Sequence, residues 1–162
     1  MNSDKLVVNA SPIISLARID QADLLLSLAS ELVIPRGVFD EIMDHDVVDS
    51  AVRWLSDKES SLVAPVEVPA SIAEWNLGKG ESEVIAFAFR QKDFVAAIDD
   101  RPAKRCAESF AIKVRGTIAL LVDAKRKRLV SEAGPFLSRL RANGFRVSDV
   151  VFAEALRLAG EA

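Results

Sequence analysis

The chain has 162 residues, half of them hydrophobic, and its 21 basic and 24 acidic side chains give a formal charge of −3. That length and apolar content suit a single domain over 1–162 with a sizeable core, and a charged fraction of 28% beside it argues against disorder. A lone cysteine, Cys106, excludes an internal disulfide framework and a thiolate zinc cage, and a lone histidine, His45, excludes a site of several imidazoles.

No apolar run reaches the roughly 20 residues of a membrane span. The opening MNSDKLVV lacks the basic and long apolar parts of a secretory signal. The expectation is a soluble, cytoplasmic protein with no membrane partner. The net charge conceals a split. Residues 1–100 carry 8 basic and 18 acidic side chains (−10), and residues 101–162 carry 13 basic and 6 acidic ones (+7). Such asymmetry directs attention to a polyanion partner or an acidic metal site.

In chain order, 5–8 reads as a short buried strand ending at Asn9. Ser11-Pro12 predicts a helix start, with Ser11 as its cap. A second helix begins at Asp20 and Asp23, a strand covers 32–34, and a helix opened by Pro35 runs to 43. A further helix is expected over 47–56, and 61–68 is β-like but broken by Pro65. Gly78-Lys79-Gly80 reads as a turn before a helix over 81–91, which places Val84, Ile85, Ala88 and Phe89 on one face. A strand over 94–98 ends in Asp99-Asp100, a helix follows over 103–110, and a strand over 112–114 leads to Gly116-Thr117. Helices over 118–127, 131–142 and 148–158 complete the chain. Strands alternating with helices predict an α/β fold with a mainly parallel sheet between helical layers.

Ligands of open parallel sheets gather at the carboxyl ends of the strands. The polar residues there are Asn9 and Ser11, Asp99 and Asp100, and Gly116 and Thr117, with Glu41 and Glu81 as further acids on nearby helices. Clustered carboxylates repel one another unless a cation joins them, and hard oxygen donors suit Mg2+ or Mn2+. Such a cation positions water and neutralises charge on a phosphate.

Each residue also has a plainer reading. Asn9 suits a strand-end turn, Ser11, Asp100 and Thr117 suit helix caps, and Glu81 suits the positive end of a helix dipole. Glu41 suits a solvated helix charge, and Asp40 and Glu83 suit solvated or supporting charges. His45 is expected at the surface and Cys106 in the core. Recurrence at strand ends, not any single residue, favours a site. No GxxxxGK[ST], GxGxxG or GxSxG is present. Arg101, Lys104, Arg105, Lys113 and Arg115 flank the Asp99-Asp100 and Gly116-Thr117 strand ends. Positive charge around an acidic metal site suits a nucleic-acid backbone.

The segments VVNASPIISLARI (7–19), VIPRGVFDEI (33–42), LGKGESEVIAFA (77–88), AAIDDRPAKRCAE (96–108) and VRGTIALLVDAKRKRLV (114–130) resemble the PIN-domain nucleases. The likeness is greatest to the VapC-like toxin branch that opens with Asn/Asp-x-Ser-Pro. The resemblance implies a PIN-like three-layer helix/sheet/helix fold and a metal-dependent endoribonuclease using Mg2+ or Mn2+. The implied acid positions fall on Asn9, Glu41, Glu81 and either Asp99 or Asp100, of which Asp100 aligns better with the family's Asp-Arg step after the strand, with Ser11 and Thr117 in support. Arg101, Lys104, Arg105 and Arg115, which flank these strand ends, are the candidate RNA contacts. An RNA substrate, a small cognate antitoxin and a homodimer follow from the same likeness. Asn9 departs from the Asp usual at the first position, and it brings no charge to a cation. A catalytically weak or inactive RNA- or protein-binding module on the same fold is therefore the second expectation, and a receiver-like α/β domain the third.

Overall fold

The computed structural model describes residues 3–44 and 49–162. His45 and the first two residues of the helix expected over 47–56 lie outside the described residues. The sheet is built from apolar runs. Strand β1 (Asp4–Val8) carries Leu6, Val7 and Val8, all buried. Strands β2 (Ala29–Pro35) and β4 (Phe94–Ala97) bury Leu32, Val33 and Ile34 and all four residues of FVAA. Continuous burial of this kind marks parallel strands covered on both faces, and each Val, Leu or Ile so buried contributes about 1.5–3 kcal/mol.

Two very short strands complete the sheet, β3 (Val63–Ala64) and β5 (Val114–Arg115). The order is β3-β2-β1-β4-β5, and every pairing is parallel. Register aligns the strand ends: Val8 lies opposite Ala97, and Ala97 opposite Arg115. Because β1 sends its chain towards β2 while β4 sends it towards β5, the strand order reverses between β1 and β4.

Helices α1 (Ala10–Arg18) and α2 (Asp23–Leu28) join β1 to β2, and α9 (Thr117–Arg126) follows β5 and packs against both. Helices α7 (Lys79–Arg90) and α8 (Arg101–Ser109) pack on each other, with α7 crossing β1, β2 and β4. Right-handed crossovers in opposite directions from the central strands put these two groups on opposite faces. The result is the expected three-layer α/β fold. Cys106 of α8 is fully buried, and burial pushes its thiol above the ordinary range.

The second strand starts earlier than expected and takes in Ala29–Glu31, where Ala29 pairs with Asp4 and Glu31 with Lys5 across a register shift. Between β2 and β4 lie α3 (Arg36–Met43), α4 (Ser50–Leu55), α5 (Glu59–Leu62) and α6 (Ala70–Ala73). The β-like stretch 61–68 is thus the end of a helical turn and a two-residue strand, stopped by Pro65, which has no N–H for the ladder. Strand β5 begins two residues later than expected, so Gly116-Thr117 follows it directly.

One cap and one turn expectation are corrected. Helix α1 begins at Ala10, so Ser11 is inside its first turn and Asn9 is the flanking residue. Gly78-Lys79-Gly80 is likewise no free turn, since Gly78 caps α7 and Gly80 sits within the helix. The chain closes with α10 (Gly134–Ala142) and α11 (Asp149–Leu158), the latter capped by Ser148 through Val151 N. No helix among the described residues is long and apolar enough to cross a membrane.

Candidate functional site

The reversal of strand order opens a crevice at the carboxyl ends of β1 and β4, where open α/β sheets bind ligands. Asn9 leaves β1 and is stitched to β4 by its N–H donating to Ala97 O at 3.1 Å. Asp99 lies two residues beyond the end of β4. A cleft of about 520 Å³ is lined by Asn9, Ser11, Arg18, Glu41, Glu81, Asp99 and Asp100, among others. Five residues separated by up to 91 positions in the chain, Asn9, Glu41, Glu81, Asp99 and Asp100, thus border one space.

Asp99 is the most firmly held of them. Thr117 donates to it twice, from its backbone N at 2.8 Å and from Oγ1 at 2.6 Å, and Ser11 Oγ donates at 3.0 Å. This is why Thr117, fully buried, and Ser11 do not cap their own helices with their hydroxyls. Of the roughly four acceptor positions of a carboxylate, three are taken, so Asp99 has about one left for a further partner. Gly116 permits the arrangement. A Cβ there would stand 3.0 Å from Asp99 Oδ1 and 3.3 Å from Lys104 Nζ.

Asp100 has a different job. Its carboxylate accepts from Ala103 N at 3.0 Å and caps α8, ahead of Pro102 in the first turn. It borders the cleft from an exposed position.

Glu41 and Glu81 come from α3 and α7, which pack together. Their meeting point is Gly80. A Cβ on Gly80 would lie 2.9 Å from Glu41 Oε2 and 3.3 Å from Asn9 Oδ1. The glycine therefore serves a close approach of two helices and a strand end. Glu81 folds back over Gly78, where its charge also suits the α7 N-terminus. Asn9 is 2% exposed, and its Oδ1 is buried without a hydrogen-bond partner among the described residues. An orphaned acceptor of this kind is costly unless something in the native protein satisfies it.

Glu83, which the sequence suggests as a solvated or supporting charge, is not solvated. It is 3% exposed, and its carboxylate accepts from Gly37 N at 3.1 Å, at the start of α3. It thereby fixes α3 against α7, the two helices that carry Glu41 and Glu81. Its position three residues after Gly80 puts it on the same helix face, a spacing visible in the chain. Arg18 was missed altogether. With Ser11 and Ser15 it forms an i, i+4, i+7 row on α1 that lines the cleft.

Among the expected basic contacts, Arg101 and Arg105 are exposed and Lys104 is half-buried. Arg115 is engaged locally, donating to both oxygens of Asp123 at 3.0 and 2.5 Å. In the 125–128 run, Lys125 donates to Ser131 O and Arg126 to Leu158 O.

The family described as DUF3368, PIN domain, matches residues 5–161. The chain belongs to this PIN-domain family. Comparison with the curated proteins and with the solved structures gives no match. PIN domains are as a class metal-dependent nucleases, and the five-stranded parallel sheet with helices on both faces agrees with that fold.

The cleft of this PIN domain offers oxygen donors of the kind a divalent cation takes. Among the described residues, no group of three or more His, Cys, Asp or Glu side chains stands close enough to hold one. The oxygen donors of the cleft are mixed: one buried amide oxygen without a partner, and carboxylates from α3, α7 and the end of β4. All are hard ligands of the kind that Mg2+ and Mn2+ take, and a cation would satisfy Asn9 Oδ1. In donor type the residues fit the group, Asn9 Oδ1 and the carboxylates of Glu41, Glu81 and Asp99 bordering one cleft, although the three acids do not converge on one point.

Proposed function

We propose that this PIN-domain protein is a metal-dependent endoribonuclease, the toxin of a VapBC-type toxin–antitoxin pair, which hydrolyses RNA phosphodiesters. The observation that carries the reading is the meeting of Asn9, Glu41, Glu81 and Asp99 around one cleft at the reversal of strand order. Asn9, Glu41, Glu81 and Asp99 would hold Mg2+ or Mn2+. When bound, the cation supplies counter-charge and Lewis acidity for the phosphodiester.

The chain's own residues supply the rest. Ser11 and Thr117 keep Asp99 in one orientation, leaving about one acceptor position turned to other partners. Glu81 accepts no hydrogen bond among the described residues, and one of its carboxylate oxygens takes the proton of an attacking water. The water oxygen bonds to phosphorus, one P–O ester bond breaks, and the leaving oxygen takes a proton from solvent. Arg18, Arg101 and Lys104 offer counter-charge to the flanking phosphates. The toxin role, a small antitoxin that covers the acidic cleft, a homodimer and a cytoplasmic site of action are supported by the resemblance to the VapC-like branch.

The test is cleavage of structured RNA with Mn2+. Wild type is expected to cleave, and Glu81→Ala to lose roughly 10²-fold or more. Equal cleavage by the two removes the reading. A second reading rests on Asn9, the uncharged residue at the first acid position: a binding module on the same fold that holds RNA or a protein without a cation. It is favoured if RNA binds but neither wild type nor Asn9→Asp cleaves.

A further inference from the structure

Helices α3 and α7 meet through two reciprocal contacts. Gly37 of α3 faces Glu83 of α7, and Gly80 of α7 faces Glu41 of α3. A Cβ on Gly37 would also come within 3.1 Å of Lys79 Cγ, and one on Gly80 within 3.2 Å of Val38 Cγ2. Each glycine thus gives the other helix room for a close approach. The two glutamates differ in their surroundings. Glu41 is exposed and lines the cleft, whereas Glu83 is 3% exposed and does not line it.

A buried carboxylate is costly unless a cation pairs with it or hydrogen bonds saturate it. Glu83 has little of either. It forms no ion pair among the described residues. One oxygen accepts from Gly37 N at 3.1 Å, and Oε2 is buried with no hydrogen-bond partner among the described residues. An apolar side chain of similar size would be the more stable choice at this position. What the carboxylate provides is reach and direction. It takes a free N–H in the first turn of α3, whose flanking residue Pro35 offers no side-chain cap, and its charge suits the positive end of that helix. Gly37 and Glu41 stand four residues apart, on the same face of α3. The bond from Gly37 N therefore holds α3 one turn before Glu41.

We propose that Glu83 is a positioning residue that sets where α3 presents Glu41, an inference that rests on the cation reading above. Glu83 acts through the Gly37 N–H and does not itself touch a cation. Its reach across to α3 is what matters, and its charge does not. Without the bond α3 shifts against α7, and Glu41 moves with it. Glu81 is carried by α7 itself and Asp99 lies beyond the end of β4, so neither depends on this bond.

The experiment compares two variants of the full chain. Glu83→Asp keeps the charge and shortens the reach by one methylene. Glu83→Gln keeps the reach and an acceptor oxygen and removes the charge. Mn2+ affinity is measured by titration calorimetry, and amide hydrogen exchange is followed by mass spectrometry, with a melting curve to check each fold. Glu83→Asp is expected to weaken Mn2+ binding roughly tenfold, the lower end for residues that orient metal ligands. In that variant Arg36–Met43 is expected to exchange faster while Phe94–Ala97 is unchanged. Glu83→Gln is expected to keep the affinity and exchange of wild type. In a Glu41→Ala background Glu83→Asp is expected to weaken Mn2+ binding little further, and in a Glu81→Ala background by as much as in wild type.

Tighter Mn2+ binding by Glu83→Asp than by Glu83→Gln overturns the proposal, because the charge of Glu83 is then what serves the cation. An equal loss from Glu83→Asp with and without Glu41 also overturns it, since the effect then bypasses α3. Wild-type affinity and exchange in both variants overturns it as well. The two readings fail separately. If wild type binds no Mn2+ but Glu83→Asp alone loosens Arg36–Met43, the cation reading falls, and Glu83 keeps its hold on α3 but loses its role towards a cation. If Glu81→Ala weakens Mn2+ binding while both Glu83 variants bind as wild type, the cation reading stands and the positioning role falls.

Discussion

Thr117 holds Asp99 with two hydrogen bonds, from its backbone N at 2.8 Å and from Oγ1 at 2.6 Å. The backbone bond survives any substitution that keeps α9 in place, but the hydroxyl bond does not. Thr117→Val keeps the shape and leaves one oxygen of a partly buried carboxylate with Ser11 Oγ alone. The expected loss is about 1.5–3 kcal/mol, the range for hydrogen bonds to charged groups, read from the urea midpoint. Thr117→Ser keeps the donor and is expected to lose less than about 1 kcal/mol. Equal stability of the valine variant and wild type removes the bond's role.

Gly80 separates stability from function. A methyl group there meets Glu41 Oε2 at 2.9 Å and Asn9 Oδ1 at 3.3 Å. Glu41 is exposed and its tip can move, and alanine gains up to about 1 kcal/mol of helix propensity. Gly80→Ala is expected to melt within a few degrees of wild type while its Mn2+ affinity falls roughly tenfold, as for groups that support a metal site. Titration calorimetry with Mn2+ beside a melting curve checks both. Unaltered affinity shows that Glu41 and Asn9 do not act together.

Gly37 is the opposite case. A Cβ there stands far inside contact distance of Glu83 Oε2 and 2.8 Å from its Cδ, and Glu83 is buried with nowhere to retreat. Gly37→Ala is expected to cost about 1–3 kcal/mol. In Gly37→Ala/Glu83→Ala the clash is gone, so the double variant loses less than the two single losses added together. Additive losses in denaturant unfolding remove the contact as their cause.

Glu161 ties the end of the chain to the start of α10. Burial works to raise its carboxyl, but hydrogen bonds from Ala133 N and Gly134 N outweigh that, helped by the charge of Lys125. The net result holds it below the ordinary value near 4.5. A carboxyl lowered in the folded state stabilises above its unfolded value and loses that stabilisation as pH falls through the folded one. The stability advantage of wild type over Glu161→Gln is therefore expected to be level above about pH 5.5 and to shrink below about 4.5. A difference that stays constant down to pH 3 removes the linkage.

Much of the fold was legible because its signals are local. The buried run at 5–8, the apolar face of 81–91 and the strand ending at Asp99-Asp100 each carry their own periodicity or punctuation. Helix starts were less legible. Ser11 has the residue type of a cap, yet its hydroxyl turns to Asp99, 88 positions away in the chain. Glycine at 80 has the residue type of a turn, yet it lies in a helix where two carboxylate-bearing segments and Asn9 crowd together.

The sequence by itself determined an α/β chain whose polar residues collect at strand ends, and a change in charge sign between Asp100 and Arg101. Both follow from composition and spacing along one dimension. Only the tertiary structure gave Asp99 and Asp100 different surroundings. Both border the cleft, but Thr117 and Ser11 reach Asp99, while the free N–H of Ala103 claims Asp100 for the α8 cap. It also decided that Glu83 is buried at the start of α3. These outcomes depend on which donors and helices arrive from elsewhere in the chain, and no residue's own neighbours in sequence encode that.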